Sequence, residues 1–356
     1  MREQTTTIKI HNVKLRLITD FCDYHNYVQM HFNKVILPDF TEDCEIEVRL
    51  NLQKDLWGNN PPNLKEERFN DFEKIGASTL FKDNNLVKLE KIRGRKFRLE
   101  FLLEGKRLLV SASCHYKVMK NIFSRFSKKT GDSLFTDFSY FLIYYPIFWY
   151  LENFHDLHPL HAACVSVEGN TCIFFGLEAI GKTALSLSLL EHKDSVFVSD
   201  NLILYNSGHI YPCYQPIKLR PQEKLIPLNK LNQIKEFKEK VFYELAIDYD
   251  NLELGPGFFI LPRFAQKPYL KEITDRQEFA QLVYYTNFLV CEVENYQHTA
   301  HLLGVLFPKV DLDKLRFAGL SNLINSSKCY FLGIGRGEKI NETVERLRAL
   351  MHNKTR

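Results

Sequence analysis

One short stretch constrains this chain more than any other. The mostly apolar residues Cys172–Phe175 run into Gly176-Leu177-Glu178-Ala179-Ile180-Gly181-Lys182-Thr183, and a second apolar run, Ala184–Leu190, follows at once. The loop satisfies GxxxxGK[ST], and its flanks predict the strand–loop–helix setting in which that string cradles phosphate. The residue types explain the spacing. Glycines at 176 and 181 permit backbone conformations closed to other residues, so successive N–H groups can turn inward toward an anion. Lys182 supplies a point charge for the β and γ phosphates, and the Thr183 hydroxyl is a hard oxygen ligand for Mg²⁺. The helix that starts here directs its positive end at the same anion. A nucleoside triphosphate, ATP with Mg²⁺, is therefore expected along residues 176–183. Glu178 is the odd member, because a carboxylate among phosphate oxygens must face outward or toward a metal.

Composition narrows the class. A chain of 356 residues forms one large domain or two ordinary ones. A hydrophobic fraction of 45% and a charged fraction of 25% exclude wholesale disorder. The formal charge of +4 gives no general argument for nucleic acid. The basic run Lys91–Arg98 (KIRGRKFR) reads as a solvated hairpin between strands. The 8 cysteines form no CxxC pair and read as reduced thiols. The N-terminus shows no apolar signal region, so a cytoplasmic location is expected. Phe135–Leu151 (FTDFSYFLIYYPIFWYL) is apolar but carries Asp137 and Pro146. It also falls short of the ~20 apolar residues a bilayer requires. It reads as a buried helix or helix pair broken at Pro146, not as a membrane span.

Two domains are expected, residues 1–153 and 154–356. Strand signals fill the first: Thr6–Thr19, Cys44–Leu52, Leu86–Leu89, Phe97–Leu103 and Arg107–Ser113, with a loop over Trp57–Glu67. A helix is expected over Tyr116–Phe126, ending in basic residues, and the aromatic helical segment closes the domain. The boundary, near residues 150–158, lacks flexible-linker composition, so the parts are expected to pack together. Beyond it, Ala162–Glu168 and Thr171–Phe175 form a hairpin about Glu168-Gly169-Asn170. Ser195–Ser199 reads as a strand, and Leu202–Tyr205 with His209–Tyr214 as a second hairpin. After Pro256 the pattern becomes helical, over Asp275–Asn287, Tyr296–Leu306, Leu312–Ile324 and Glu342–His352, with one strand at Cys329–Ile334.

Two further features bear on chemistry. Val196-Phe197-Val198-Ser199-Asp200-Asn201 places an acid where an apolar strand ends, 18 residues after Lys182. An acid so placed holds Mg²⁺ through water or accepts the proton of an attacking hydroxyl. The histidines of His155-Asp156-Leu157-His158-Pro159-Leu160-His161 match no compact zinc pattern. His161 matters more for its position, immediately before the hairpin that feeds the loop.

The stretch Leu160–Asn201, LHAACVSVEGNTCIFFGLEAIGKTALSLSLLEHKDSVFVSDN, resembles the C-terminal kinase domain of HPr kinase/phosphorylase and of HPr-kinase-related serine kinases. The shared pattern is a His opening a strand hairpin, a phosphate loop 15 residues on, a helix, and a strand closing in an acidic pair. Two departures stand out. Asn201 replaces the second Asp, and Glu253-Leu254-Gly255-Pro256-Gly257 only faintly echoes the family's later glycine signature. Residues 1–150 do not resemble the family's usual N-terminal domain.

The resemblance implies an α+β or α/β fold: a phosphoenolpyruvate-carboxykinase-like P-loop kinase domain behind a strand-rich N-terminal domain. It implies an ATP- and Mg²⁺-dependent kinase acting on a Ser-type hydroxyl of a peptide, protein or small molecule, in a chain that can form a homo-oligomer. Asp200, His161 and Lys182 would be catalytic, Gly176–Thr183 would bind nucleotide, and Thr183 and Asp200 would hold the metal. Lys218, Arg220, Arg263 and Arg336 are the candidate cations for the transferred group. The competing class is a regulatory or scaffold protein that binds nucleotide and transfers nothing, a reading kept open by Asn201 and Glu178.

Overall fold

The computed structural model describes residues 3–38, 43–55, 64–65, 67–92, 95–117, 131–192, 194–219, 232–237, 240–244, 249, 252–289, 291–307 and 311–352. These form a mixed α+β chain in two units. One comprises Met1–Phe154 with His298–Lys309, and the other His155–Gln297 with Val310–Arg356. The short return of residues 298–309 to the first unit had no counterpart in the two contiguous domains expected from sequence.

In the first unit, β1 (Gln4–Ile10) and β2 (Val13–Thr19) form an antiparallel hairpin that buries Ile8, Ile10, Val13, Leu15 and Leu17. The Thr6–Thr19 alternation is thus two strands, divided at His11, whose φ of 54° turns the chain. The helix α1 (Cys22–His31) follows, then β3 (Ile46–Asp55), β4 (Glu73–Gly76), β5 (Thr79–Lys82), β6 (Asn85–Ile92), β7 (Arg95–Glu104) and β8 (Arg107–Lys117). Their order in the sheet is β1-β2-β3-β8-β7-β6-β5-β4, parallel only at β2–β3 and β3–β8. The described residues of the basic run Lys91–Arg98 lie on the paired strands β6 and β7, as the hairpin reading expected, but Arg98 is buried where a solvated face was expected.

Two expectations change here. Tyr116 and Lys117 do not open a helix, because β8 stays paired with β3 as far as Asp55↔Lys117. The remainder of that expected helix, and most of the Trp57–Glu67 loop, lie outside the described residues. The aromatic segment is helical, comprising α2 (Gly131–Ser139), a π-helical turn at Tyr140–Tyr144, and α3 (Tyr145–His155). The break falls just ahead of Pro146, whose ring would strike the carbonyl four residues earlier in a continuous α-helix. The Tyr145 N–H instead donates to the Tyr140 carbonyl, the longer spacing of a π turn. Phe138 meets Phe97 of β7 edge-on at 4.7 Å, which seats this helix on the sheet. No described helix is long and apolar enough to cross a membrane.

The second unit is built on β9 (His158–Val167), β10 (Asn170–Phe175), β11 (Ser195–Ser199), β12 (Leu202–Tyr205), β13 (Ile210–Pro212), β17 (Phe258–Ala265), β18 (Tyr269–Glu272) and β19 (Lys328–Gly335). Their order is β13-β12-β9-β10-β17-β19-β18, with β11 also on β9. The strands β10, β17 and β19 run parallel. A separate sheet joins β14 (Ile217–Leu219), β15 (Asn232–Phe237) and β16 (Lys240–Glu244). Helices cover both faces of the large sheet. Leu185, Leu187 and Leu189 of α4 (Lys182–Leu189) share one core with Val344 and Leu347. Phe279 and Val283 of α5 (Arg276–Asn287) share the other with Leu320 and Leu323. Next in order are α6 (Cys291–Leu303), along which the chain passes from one unit to the other, α7 (Leu312–Asn325) and α8 (Ile340–His352), which carry those partners.

The β9–β10 hairpin forms as expected, through a two-residue turn with φ of 51° at Glu168 and 76° at Gly169. The helical texture expected after Pro256 is corrected: Phe258–Ala265 is the central parallel strand, and Tyr269–Glu272 pairs beyond it. A strand buried on both faces reads as an unbroken apolar run and loses its alternation. Pro262 argues against a central strand, but it lies past Ile260, the last residue paired with β10, so its missing N–H breaks no rung on that side.

Candidate functional site

The loop stands at the carboxyl end of β10, inside the sheet between antiparallel β9 and parallel β17, and carboxyl ends of parallel strands are the usual place for ligands in open α/β sheets. Gly176, Ala179 and Gly181 take φ of 115°, 59° and 95°. A side chain at Gly176 would also push the Leu261 side chain aside, since its Cβ would lie 2.7 Å from Leu261 Cδ1. Three left-handed residues within six fold the loop back on itself, one of them at a non-glycine that costs of order 1 kcal/mol or more. Leu177, Glu178 and Ala179 are exposed, so the Glu178 carboxylate stays out of the buried part of the loop.

Lys182 opens α4 and is buried, its Nζ donating to the carbonyls of Gly176 at 2.8 Å and Leu177 at 2.9 Å. The ammonium is thereby held inside the loop, where it presents charge to an anion entering from solvent. Thr183 follows it, half-buried.

Sheet pairing brings the remaining residues to this place. On one side of β9, Ala162 pairs with Phe175, the residue before the loop. On the other, His161 pairs with Leu202, and the Ala162 N–H donates to the Asn201 carbonyl at 3.1 Å. Asp200 and Asn201 therefore connect β11 to β12 beside His161. Asn201 Nδ2 donates to Gln215 Oε1 at 3.0 Å, which commits the amide to a structural bond and leaves Asp200 the carboxylate of the pair.

His161 is 5% exposed, and neither ring nitrogen meets a hydrogen-bond partner among the described residues. Burial, and then the nearby Lys182 charge, push its pKa down to about 3. The imidazole is therefore neutral at physiological pH, a buried polar group close enough to feel the Lys182 charge. An unfolded histidine takes a proton near pH 6.5, whereas this one does so only near 3, so acid favours the unfolded state. Stability contributed by neutral His161 is complete above pH 6.5 and is lost as pH falls toward 3. Between pH 7 and pH 5 the loss should be about 2 kcal/mol. Urea unfolding at both pH values should show this loss in the native chain and not in His161→Gln; equal losses in both would refute it.

Asn287 is a contributor that sequence reasoning missed. Its Oδ1 accepts from the His161 N–H at 2.8 Å and its Nδ2 donates to the Pro159 carbonyl at 3.3 Å. It thus fills the edge of β9 left open where β10 turns away into the loop. It lies 126 residues from His161 in sequence, and no local pattern signals such a contact. Among the candidate cations, Lys218 lies on β14, with Nζ 5.9 Å from the Phe242 ring centre. Arg263 stacks on Phe331 at 3.8 Å, Arg336 is exposed in the turn after β19, and Arg220 lies outside the described residues. In the glycine segment, Glu253 pairs with His209 at 3.0 Å and accepts from Tyr211. The histidines at 155, 158 and 161 do not gather. His158 is buried against Tyr205, its Nε2 3.3 Å from Asp156. Among the described residues no group of three or more His, Cys, Asp or Glu is placed to hold a metal ion.

The second unit is thus a mixed sheet carrying a GxxxxGK[ST] loop, with a buried lysine, a neutral histidine and an aspartate arranged about it. No family model matches the chain, and no curated protein does.

Proposed function

We propose that this chain is an ATP-dependent phosphotransferase of the HPr-kinase-like P-loop type, which moves the γ-phosphoryl group to a Ser-type hydroxyl of a peptide, protein or small molecule. The observation that carries this reading is the loop itself. Its three left-handed residues, buried Lys182 and following helix suit a triphosphate better than any other ligand. The N–H groups of residues 176–183 and the Lys182 ammonium would bind the β and γ phosphates. Mg²⁺, when bound, would neutralise charge on the phosphate oxygens, and half-buried Thr183 carries the hydroxyl oxygen that would hold it. In the transfer, the bond between the β–γ bridging oxygen and the γ phosphorus breaks and one to the acceptor oxygen forms. The hydroxyl proton passes to Asp200. Catalysis on this plan rests on positioning and charge neutralisation.

The first unit, lacking such a loop, would select the acceptor. Transfer of labelled γ-phosphate by the full chain, assayed against a panel of peptides and hydroxylated metabolites, tests the reading. Labelled product with at least one acceptor class is the expected result. Tight ATP binding without transfer to any of them would instead favour a nucleotide-binding regulatory protein.

A further inference from the structure

We propose that Arg263 is the second cationic phosphate ligand of this site, its guanidinium taking the terminal phosphoryl oxygens of a triphosphate held by residues 176–183. The inference rests on the phosphotransferase reading and selects one of the four candidate cations. Three observations carry it.

The first is position. In β10 and β17 Cys172 pairs with Phe258 and Phe174 with Ile260, and β17 runs on to Ala265 after β10 has given way to the loop at Gly176, so Arg263 lies on β17 just beyond the point where the loop begins. Adjacent strands lie only about 4.8 Å apart. Leu261, two residues before Arg263 and on the same face of β17, is the side chain that a Cβ at Gly176 would strike at 2.7 Å. Arg263 is the next residue on that face, roughly 6–7 Å further toward the mouth of the loop.

The second is preorganisation. The Arg263 guanidinium lies 3.8 Å from the centre of the Phe331 ring, and Phe331 pairs with Leu261 across β17–β19. Phe331 is itself backed edge-on by Phe279 of α5. A cation stacked on an anchored ring keeps its planar fork of donors in one orientation, which suits the paired oxygens of a phosphoryl group.

The third is availability. Arg263 is exposed, and among the described residues its N–H groups meet no carboxylate or carbonyl acceptor. Of the other described candidates, Lys218 belongs to the small separate sheet, and Arg336 stacks on no ring among the described residues.

The test is calorimetric titration of the full chain with Mg-ATP and Mg-ADP, applied to the native protein, Arg263→Gln, Arg263→Lys and Lys182→Ala. Arg263→Gln should weaken Mg-ATP binding about 10- to 100-fold while changing Mg-ADP less than about 3-fold, because only ATP carries the phosphoryl group in question. Arg263→Lys, which keeps charge and loses the fork, should fall between. Equal effects on ATP and ADP, or no effect on either, would overturn the assignment, and with Lys182→Ala still abolishing binding the loop reading would stand. A native chain that binds neither nucleotide would overturn both. Arg263 is exposed, so unchanged thermal midpoints should accompany all Arg263 variants.

Discussion

Replacing Lys182 with alanine is expected to lower Mg-ATP affinity at least about 100-fold in a chain that still folds. The ammonium is the one cation seated within the loop, and two of its donors already hold the carbonyls of Gly176 and Leu177. Its removal takes away both the charge that would face the β and γ phosphates and the tie to the Gly176 and Leu177 carbonyls. Each charge-assisted bond is worth about 1.5–3 kcal/mol, so losing two or more accounts for the effect. Methionine at 182 separates these contributions from loss of packing, because it keeps the buried stem without the charge. Calorimetry with Mg-ATP measures the affinity, and urea unfolding checks that the second unit is intact. Unchanged affinity in a folded Lys182→Ala chain would remove nucleotide binding from residues 176–183 and the proposed function with it.

Asp200→Asn should separate transfer from binding. Asp200 closes β11 beside His161, and Asn201 is engaged with Gln215, so no second carboxylate of the pair can take over. A general base contributes typically ~10²–10⁴-fold to rate. The amide keeps the shape and loses the charge. Mg-ATP affinity should therefore stay within a few-fold while phosphoryl transfer falls by ~10²–10⁴-fold, about 3–5 kcal/mol of barrier. Lost affinity instead would make Asp200 a metal holder, with Glu178 the next carboxylate to test as base. If neither property moved, Asp200 would be a turn residue and the regulatory reading would replace the kinase.

The local features of the second unit were legible because each is written in neighbouring residues. The Glu168-Gly169 turn, the loop between two glycines, the helix that begins at Lys182 and the strand Ser195–Ser199 all occupy their expected places. Asp275 caps α5 by accepting from the Glu278 N–H at 2.8 Å, and Asp311 caps α7 by accepting from the Lys314 N–H at 3.2 Å, which fixes where both helices begin. The misread segments share a cause. Phe258–Ala265 carries no period because helices cover it on both faces, and Tyr116–Lys117 extends a strand because β3 remains beside it.

By itself, then, the sequence determined the loop's chemistry and the elements that flank it, since glycine freedom, a lysine after Gly181 and a two-residue turn act within a few bonds of where they are written. Tertiary structure decided everything that depends on separation. It placed β17 between β10 and β19, set His161 beside both the loop and Asp200, and used Asn287 to close the edge of β9. It also left the His161 ring nitrogens without a hydrogen-bond partner among the described residues while lowering the ring's pKa, because burial and the nearness of Lys182 are properties of packing and not of either residue's neighbours in the chain.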